Sequence, residues 1–396
     1  MTDCDKFLLA LRAYIEGCSN HINGDEKRST IFQEQIKDLE CEDFRLYYFR
    51  AYYLNKQGQI REAKMNIDKA IKLIDSINYS LPPVDANNAL LFVPVSDCSN
   101  IKPCSNLLPI RKQICEVYFC AGEIYAEYGD EGMSLKYYKL YQYYGSFLKS
   151  KFDSLDSINV FSFRKYNEHS LADLINNEIT VSPASKMNDH VDSLVNLWRR
   201  EDNLEQLCKE KSHIRPYIKS FDYYRIRSFC SGRGNTPVQN VLMWSHYAGE
   251  HTGFCIKYKL SRHFICQEMN QQNEHMYLEQ IAYAPKSKKI NIVTPSIDTS
   301  LAFATKKKDW QYEKEIRLIV YNPNKAEPFY GVKLVKPEEK PEDSSKIEAI
   351  FFGCRCSNDT IKTIKNVFAQ QSNFSPKFYQ MVIDKSNVYN LKYERI

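Results

Sequence analysis

The sequence lacks the short motifs that identify many enzyme classes. It contains no glycine-rich phosphate loop, no dinucleotide-binding fingerprint and no GxSxG nucleophile motif. Its 13 cysteines show no recurring CxxC spacing, and Cys354 and Cys356 are too close for a zinc ribbon or a redox pair. These absences exclude the commonest nucleotide-binding and hydrolase signatures. The cysteines are expected to be mostly reduced structural thiols.

The sequence also lacks a long apolar run. No stretch approaches the roughly 20 apolar residues that a membrane span needs, and the first residues, MTDCDKFLLALRAY, do not form a basic, then apolar, leader. We therefore expect a cytoplasmic protein with no membrane partner. The formal net charge of +5 is small for 396 residues, so an acidic or nucleic-acid partner is permitted but not indicated. Residues 306–308, Lys-Lys-Lys, are predicted to be a solvated loop edge.

The chain is long enough for two or three domains, and its two halves differ in pattern. Residues 1–152 are predicted to form a helical domain, which begins with a helix over residues 6–18. Residues 81–103, rich in Pro and Asn, are predicted to be a long loop. Small and large residues recur at spacings typical of the tetratricopeptide repeat: Tyr47, Ala51, Leu54, Gly58, Ala63, Ile67 and Ala70, then Gly122, Tyr125, Gly129, Ser134, Tyr138 and Tyr141.

This half therefore resembles tetratricopeptide repeats, and the alternative is a generic bundle of helical hairpins. Either fold predicts a contact surface for a protein, a peptide or a second copy of the chain. Nothing catalytic is visible in it.

Residues 153–396 are predicted to form an α+β domain, because short alternating apolar runs are separated by turns. One helix is predicted to begin with Ser170 as its N-cap and another with Ser357. Strands are predicted over residues 159–164, 178–182, 225–229, 254–260, 316–321 and 349–352, with a terminal hairpin over 378–383 and 388–396.

Residues 241–260 concentrate polar and aromatic side chains at a helix-to-strand junction. His246 and His251 lie five residues apart, and Gly249 interrupts the helix between them. Two zinc ligands on one helix face would be spaced by four, so we predict no metal site here. The alternative role for Trp244 and His251 is packing, with their ring N–H groups hydrogen-bonded at the junction.

A second polar segment is the predicted strand that carries Glu313 and Glu315. Alternation along a strand predicts both carboxylates on one face, with Arg317 on the same face. Two close carboxylates raise one another's pKa unless cations offset the repulsion. Trp310 and Tyr312 precede the strand and would shape such a site. The alternative is a solvated strand face with an ordinary ion pair.

Several motifs in the second half resemble a bacterial family catalogued as a domain of unknown function. The resemblance covers nearly all of residues 160–370. The motifs are RKYNEHSLADLINNEITVSPASKMND (164–189), YRIRSF (224–229), MWSHYAGEHTGFCIKY (243–258), Tyr283, FATKKKDWQYEKEIRLI (303–319) and IEAIFFGCRCS (347–357). One departure is His190, where the family usually has Pro.

The order of elements is also similar to the ADP-ribosyltransferase fold, with Arg164, Ser228 and Glu313-Lys314-Glu315 at the three matching positions. That resemblance implies an NAD-dependent ADP-ribosyltransferase or another NAD-consuming enzyme. Arg164 would hold an NAD phosphate and Ser228 would orient the nicotinamide side. Glu315 would bind the ribose and stabilise the cationic transition state, while Glu313 would help to deprotonate the acceptor.

In the same resemblance Tyr166 or Tyr247 would stack on the nicotinamide. Tyr247 and His251 would build the wall and floor of the cleft, and Trp244 would be a further cofactor-binding residue. The helical domain would dock a protein or peptide and regulate the enzyme, as in a bacterial antiphage or toxin system. The acceptor stays open between a macromolecule, nucleic acid included, and a small molecule. Two alternatives stay open: a non-catalytic interaction scaffold, and a hydrolase or nuclease.

Overall fold

The computed structural model describes residues 2–18, 26–76, 110–146, 157–183, 186, 204–261, 275–284, 303–322, 329–334, 345–370, 376–387 and 390–396. Their contacts divide them into two units. The helical unit contains the described residues up to 146 together with 204–221, and the sheet unit contains the rest. Helices in the N-terminal part and a mixed sheet in the C-terminal part give the chain a two-part layout. The predicted loop at residues 81–103 lies outside the described residues.

The helical unit begins with six helices in sequence. They are α1 (Asp3–Cys18), α2 (Glu26–Ile36), α3 (Phe44–Lys56), α4 (Ile60–Ser76), α5 (Ile110–Glu127) and α6 (Glu131–Ser146). Two further helices, α8 (Leu204–Glu210) and α9 (Ile214–Ser220), return to this unit later in the chain. Tyr217 of α9 packs its ring on Phe119 and Tyr138, so α9 completes the core around α5 and α6. The sequence prediction of one division after residue 152 did not include this return.

Small residues set the spacing of the helical hairpins, as the sequence pattern predicted. Ala51 and Ala63 are fully buried between α3 and α4, and Gly58 turns the chain between them with a φ of +73°. In the second hairpin the ring of Tyr138 lies directly over Gly122, where a Cβ would come within 2.6 Å of it. The hairpins are thereby confirmed, whereas the assignment to tetratricopeptide repeats stays a prediction.

The sheet unit is built on an eight-stranded sheet with the order β12-β11-β10-β4-β1-β3-β8-β5. All neighbouring pairs are antiparallel except β10–β11, which helix α11 (Asn358–Ala369) connects. The strands are β1 (Ser157–Arg164), β3 (Tyr224–Cys230), β4 (Phe254–Ser261), β5 (His275–Gln280), β8 (Glu315–Tyr321), β10 (Lys346–Phe352), β11 (Lys377–Ile383) and β12 (Leu391–Arg395).

Two small ribbons accompany the main sheet. Strand β2 (Glu178–Val181) pairs with β9 (Tyr330–Lys333), and β6 (Ala282–Ala284) pairs with β7 (Thr305–Lys307). The predicted strands and the terminal hairpin β11–β12 are confirmed.

Apolar side chains from alternate strand positions cover each face of the sheet. On one side Val160 and Leu318 pack with α11 and with Leu174 of α7 (Glu168–Asn176). On the other side Phe161 and Phe163 pack on Trp244 of α10 (Val241–Tyr247). We call these the α7 face and the α10 face. Because side chains alternate along a strand, a polar residue lies on the same face as the strand residues two positions away from it.

Helix α7 begins differently from the prediction. Its N-cap is Asn167, whose side chain accepts a hydrogen bond from the backbone N–H of Ser170. The Ser170 hydroxyl in turn accepts from the backbone N–H of Asn167, 3.0 Å away, which completes a reciprocal capping box. The predicted cap Ser170 is therefore the third residue of the helix. The predicted cap Ser357 is confirmed, because its side chain accepts from the backbone N–H of Thr360 in α11.

No helix among the described residues is both long enough and apolar enough to cross a membrane.

Candidate functional site

The approach to strand β8 differs from the predicted pair of in-phase glutamates. Residues Lys308–Glu313 form a 3₁₀ helix, Lys314 has left-handed backbone angles, and the strand starts only at Glu315. The prediction that Glu313 lies on the strand is therefore wrong. Lys314 separates the 3₁₀ helix from the strand, and the two carboxylates nevertheless converge on one cation.

That cation is Lys306, which the sequence had predicted to be solvated. Its Nζ lies 2.7 Å from Oε2 of Glu313 and 3.1 Å from Oε2 of Glu315, and the side chain is buried. Nε of Arg317 lies 2.7 Å from Oε1 of Glu315. Lys306, Glu313, Glu315 and Arg317 together form what we call the ion cluster, with two charges of each sign. The solvated-edge prediction for residues 306–308 holds for Lys307 and Lys308, which are exposed, and is wrong for Lys306.

The two carboxyl groups of the ion cluster have different proton affinities. Burial acts to raise the pKa of Glu315, but the charges of Arg317 and Lys306 outweigh it and hold the pKa at about 2. Burial also raises the pKa of Glu313, and there the attraction of Lys306 does not cancel it. Glu315 consequently stays ionised, and Glu313 is the carboxyl group that takes up a proton first as the pH falls.

Two tyrosines contact the ion cluster. The hydroxyl of Tyr247, at the end of α10, donates to Oε1 of Glu313 over 2.5 Å. Burial and the neighbouring Glu313 raise the pKa of Tyr247, so it remains a phenol and a donor. The hydroxyl of Tyr283 accepts from the backbone N–H of Glu315 over 2.8 Å. Tyr247 was predicted to stack on the nicotinamide ring, and the contact that the structure shows is its hydrogen bond to Glu313.

A pocket of about 100 Å³ opens beside Glu313 on the α10 face. Asn240 fixes one wall, since its side chain caps α10 and donates to the carbonyl of Tyr312 over 3.0 Å. The rings of His246 and Trp310 lie near Tyr312, with centroids 6.4 and 6.0 Å from its ring. The lining residues are Cys230, Ser231, Thr236, Pro237, Asn240, Met243, Tyr312, Glu313 and Lys314.

Ser228 and Glu315 are brought together, as the resemblance to ADP-ribosyltransferases implied. Ser228 lies opposite Arg317 in the β3–β8 pair, and its hydroxyl is one of the groups near Glu315 that lower the pKa of that carboxyl group. These residues share the α10 face because Cys230, two positions after Ser228, belongs to that face.

Arg164 lies elsewhere. Phe161 and Phe163 occupy the α10 face and Val160 the α7 face, so alternation puts Arg164 on the α7 face. There its guanidinium pairs with Asp173 of α7 at 3.1 Å. The structure therefore does not bring Arg164 to Ser228 and Glu315. Asp173 was not singled out from the sequence.

The remaining predicted residues do not line the pocket. Trp244 is fully buried, its Nε1 donates to the carbonyl of Val238 over 2.7 Å, and its ring packs on Phe163. His251 stacks on Trp244, and its Nε2 lies 3.2 Å from the Ser245 hydroxyl. These contacts are the packing alternative described for the junction.

Tyr166 is exposed in the turn after β1. Within the described part of the chain, no group of three or more His, Cys, Asp and Glu residues could hold a metal ion.

The sequence reasoning missed Lys306, Asn240 and the contact role of Tyr283. Tyr283 had a usable signal, because it is a lone aromatic residue within one of the motifs that carried the family resemblance. Lys306 also lies in one of those motifs, but three consecutive lysines normally indicate a solvated segment, and that local signal pointed away from its burial.

Residues 243–318 match the model of a family described as a protein of unknown function (DUF2971). This segment contains all four residues of the ion cluster together with Tyr247 and Tyr283, whereas Arg164 and Ser228 precede it. No curated protein and no solved structure matches the chain.

Proposed function

We propose that the sheet unit is an NAD-consuming enzyme, either an ADP-ribosyltransferase or an NAD hydrolase, in which Glu313 is the acting carboxylate. One observation carries the proposal. Glu313 is the carboxylate that lines the pocket, and its raised pKa and its bond to Tyr247 are properties of an acid–base group. The reaction would break the bond between nicotinamide and ribose.

The chemistry needs a negative charge beside a carbon atom that becomes cationic. As the nicotinamide leaves, its bonding electrons leave with it, and an ionised carboxylate stabilises the positive ribose. Glu313 would supply that charge or accept the proton of the attacking hydroxyl. Glu315 would then act indirectly, because both of its oxygens already face cations and it fixes the position of Lys306.

NAD fits the described residues in part. A pocket of about 100 Å³ suits one ring-sized group such as nicotinamide, so the rest of the dinucleotide would lie outside it. Lys314 at the pocket and the exposed Arg233 nearby in the chain are cations that could bind the pyrophosphate. This role passes to them from Arg164, which is on the α7 face.

The helical unit would supply regulation by binding a protein or peptide partner. With both units, the protein would be a cytoplasmic effector of a bacterial antiphage or toxin system. Its acceptor would be a macromolecule. What supports this role is the presence of a helical unit and a sheet unit in one chain.

The test measures nicotinamide release and transfer of label from radiolabelled NAD by the full chain. Glu313→Gln is expected to lower the rate by about 100-fold or more, because an electrostatic stabiliser of this kind contributes that much. Glu394→Gln is the matched control, since Glu394 is exposed on the edge strand β12. Wild-type protein that releases no nicotinamide and transfers no label, with or without candidate acceptors and partners, would contradict the proposal.

A second candidate is a non-catalytic interaction scaffold. It is favoured by the complete pairing of the ion cluster, because two cations that already neutralise two carboxylates can serve stability alone. In that case neither the wild type nor Glu313→Gln would release nicotinamide, and the substitution would change only the stability of the fold. Circular dichroism of the variant, measured beside the NAD assay, separates the two candidates.

A further inference from the structure

One edge of the eight-stranded sheet has no partner strand in the described part of the chain. Strand β12 is the last strand at that edge, and it pairs only with β11. Residues 392–395 of this strand are exposed, whereas Leu391 is buried. An exposed strand edge offers a row of backbone N–H and C=O groups to another strand.

Hydrogen bonds at both ends of β12 determine which of its backbone groups point away from β11. The N–H of Ile396 donates to the carbonyl of Phe378 over 3.1 Å, and the N–H of Asp384 donates to the carbonyl of Asn390 over 2.9 Å. In an antiparallel pair, alternate residues direct both backbone groups to the same neighbour. Even-numbered residues therefore bond β11, and odd-numbered residues direct their backbone groups outward. These outward residues are Leu391, Tyr393 and Arg395.

Contacts on the α10 face hold β12 in place. The ring of Tyr393 packs on the rings of Phe351 and Tyr379, with centroids 5.4 and 5.3 Å away. Its hydroxyl accepts a hydrogen bond from Nδ2 of Asn235 over 3.2 Å. All five residues of β12 pair with β11 in an unbroken register. The outward backbone groups are therefore already ordered, which lowers the entropy cost of pairing with another strand.

The charge pattern of β12 is complementary to itself. When two copies of the strand run antiparallel around Tyr393, Lys392 lies opposite Glu394 of the partner subunit. The two residues form a non-hydrogen-bonded pair, in which side chains come closest. Two-fold symmetry produces this pair twice, and opposite charges across a strand pair are favourable. Lys392 already lies 2.9 Å from Asp384, but an ammonium group has three donors and can serve both carboxylates.

We infer that β12 is an interaction surface for a second copy of this chain, whose own β12 pairs with it antiparallel and joins the two sheets into one. The outward backbone groups of Leu391, Tyr393 and Arg395 would supply the hydrogen bonds, and the pairs of Lys392 with Glu394 would fix the register. Dimerisation is independent of the proposed NAD chemistry, because β12 contributes none of the residues that line the pocket.

The first experiment is sedimentation velocity of the full chain over a concentration series. We expect the wild type to form a dimer as the concentration rises. Glu394→Lys places like charges opposite each other at both symmetric positions, so it should weaken dimerisation by about 10-fold or more. Lys362→Glu is the control, because Lys362 is exposed on α11 and should leave the dimer unchanged.

Reversing both charges tests the register directly. The double variant Lys392→Glu, Glu394→Lys restores two opposite pairs, so it should recover the dimer that Glu394→Lys loses. An equimolar mixture of the two single variants should form mixed dimers, because every cross-strand pair is then opposite in charge. Circular dichroism checks that each variant is folded. A wild-type dimer that Glu394→Lys leaves unchanged would overturn the inference, and so would a folded double variant that stays monomeric.

A second measurement needs no variant. Hydrogen exchange of the wild type, resolved by residue, should slow at the amides of Tyr393 and Arg395 as the concentration rises. The amides of Lys392 and Glu394 bond β11 in either state, so their exchange should not change. A chain that stays monomeric up to about 100 µM, a weak affinity for a specific dimer, would overturn the inference. Exchange at Tyr393 and Arg395 that is independent of concentration would overturn it as well.

Discussion

The two faces of the sheet bury charge in different ways. On the α10 face, four charged side chains from β7, the 3₁₀ helix and β8 form the ion cluster beside a pocket. On the α7 face, Arg164 and Asp173 pair away from that pocket. The difference shows that chain order alone does not gather a site, because strand alternation separates Arg164 from Ser228 and Glu315. The two glutamates of the ion cluster also differ, because Glu315 pairs with two cations and Glu313 lines the pocket.

The strongest test of this comparison removes one arginine from each face. Arg317→Met leaves Glu315 buried with one cation fewer, and we expect a loss of about 3–5 kcal/mol in the free energy of unfolding. Arg164→Met should cost less, about 1–3 kcal/mol, because the Arg164 side chain is partly exposed and Asp173 keeps its bond to Thr180. Urea denaturation followed by tryptophan fluorescence measures both losses. Equal losses would show that the two faces hold charge alike.

A second test uses pH to distinguish the two glutamates of the ion cluster. The folded pKa of Glu315, about 2, lies below its ordinary value of 4.5, so its contribution to stability is present above pH 4.5 and is lost as the pH falls toward 2. The stability advantage of the wild type over Glu315→Gln should therefore shrink across that range.

Glu313 should behave in the opposite way. Its folded pKa is raised, so the folded state binds the proton more tightly than the unfolded state does. The stability of the wild type relative to Glu313→Gln should increase as the pH falls from neutral to 4.5. Urea midpoints across a pH series provide the measurement. Parallel curves for the two variants would contradict the separate roles assigned to these residues.

The smallest expected effect is on stability, when glycine replaces a residue with left-handed backbone angles. One such residue precedes β8 on the α10 face, and the other ends α7 on the α7 face. Lys314 and Asn177 have φ values of +45° and +50°. Lysine tolerates this conformation poorly, so Lys314→Gly should raise the free energy of unfolding by about 1 kcal/mol. Asparagine visits it readily, so Asn177→Gly should change stability by less. Thermal midpoints of the two variants make the comparison, and a loss of stability in Lys314→Gly would argue against backbone strain there.

Much of the fold was predictable because local spacing determines it. Ala51 and Gly58 indicated the first helical hairpin, and the alternation of Phe254, Ile256 and Tyr258 indicated β4. Strand order was not predictable in the same way, because β1 pairs with β4 and β3, which are distant in sequence. Such pairings depend on which apolar faces meet after the chain collapses.

The candidate site was predictable only as a set of residue types. The spacing of the charged residues drew attention to Glu313 and Glu315. The predicted strand through both of them was wrong at Lys314, because hydrophobic alternation carries no signal for a left-handed residue. The burial of Lys306 came from tertiary contacts that overrode its local composition. Residues that pair with a partner far away in sequence therefore needed the structure.

The central position of β1 has a consequence for how the chain is made. Its last residue is Arg164, but its partners β3 and β4 begin only at Tyr224 and Phe254. A ribosome therefore releases β1 well before either neighbour exists, and its apolar residues stay unsheltered for that interval. The first helical hairpin, with both helices adjacent in sequence, needs no such wait. We therefore expect the sheet unit to acquire its native strand pairing later during synthesis than the first helical hairpin acquires its helix contacts.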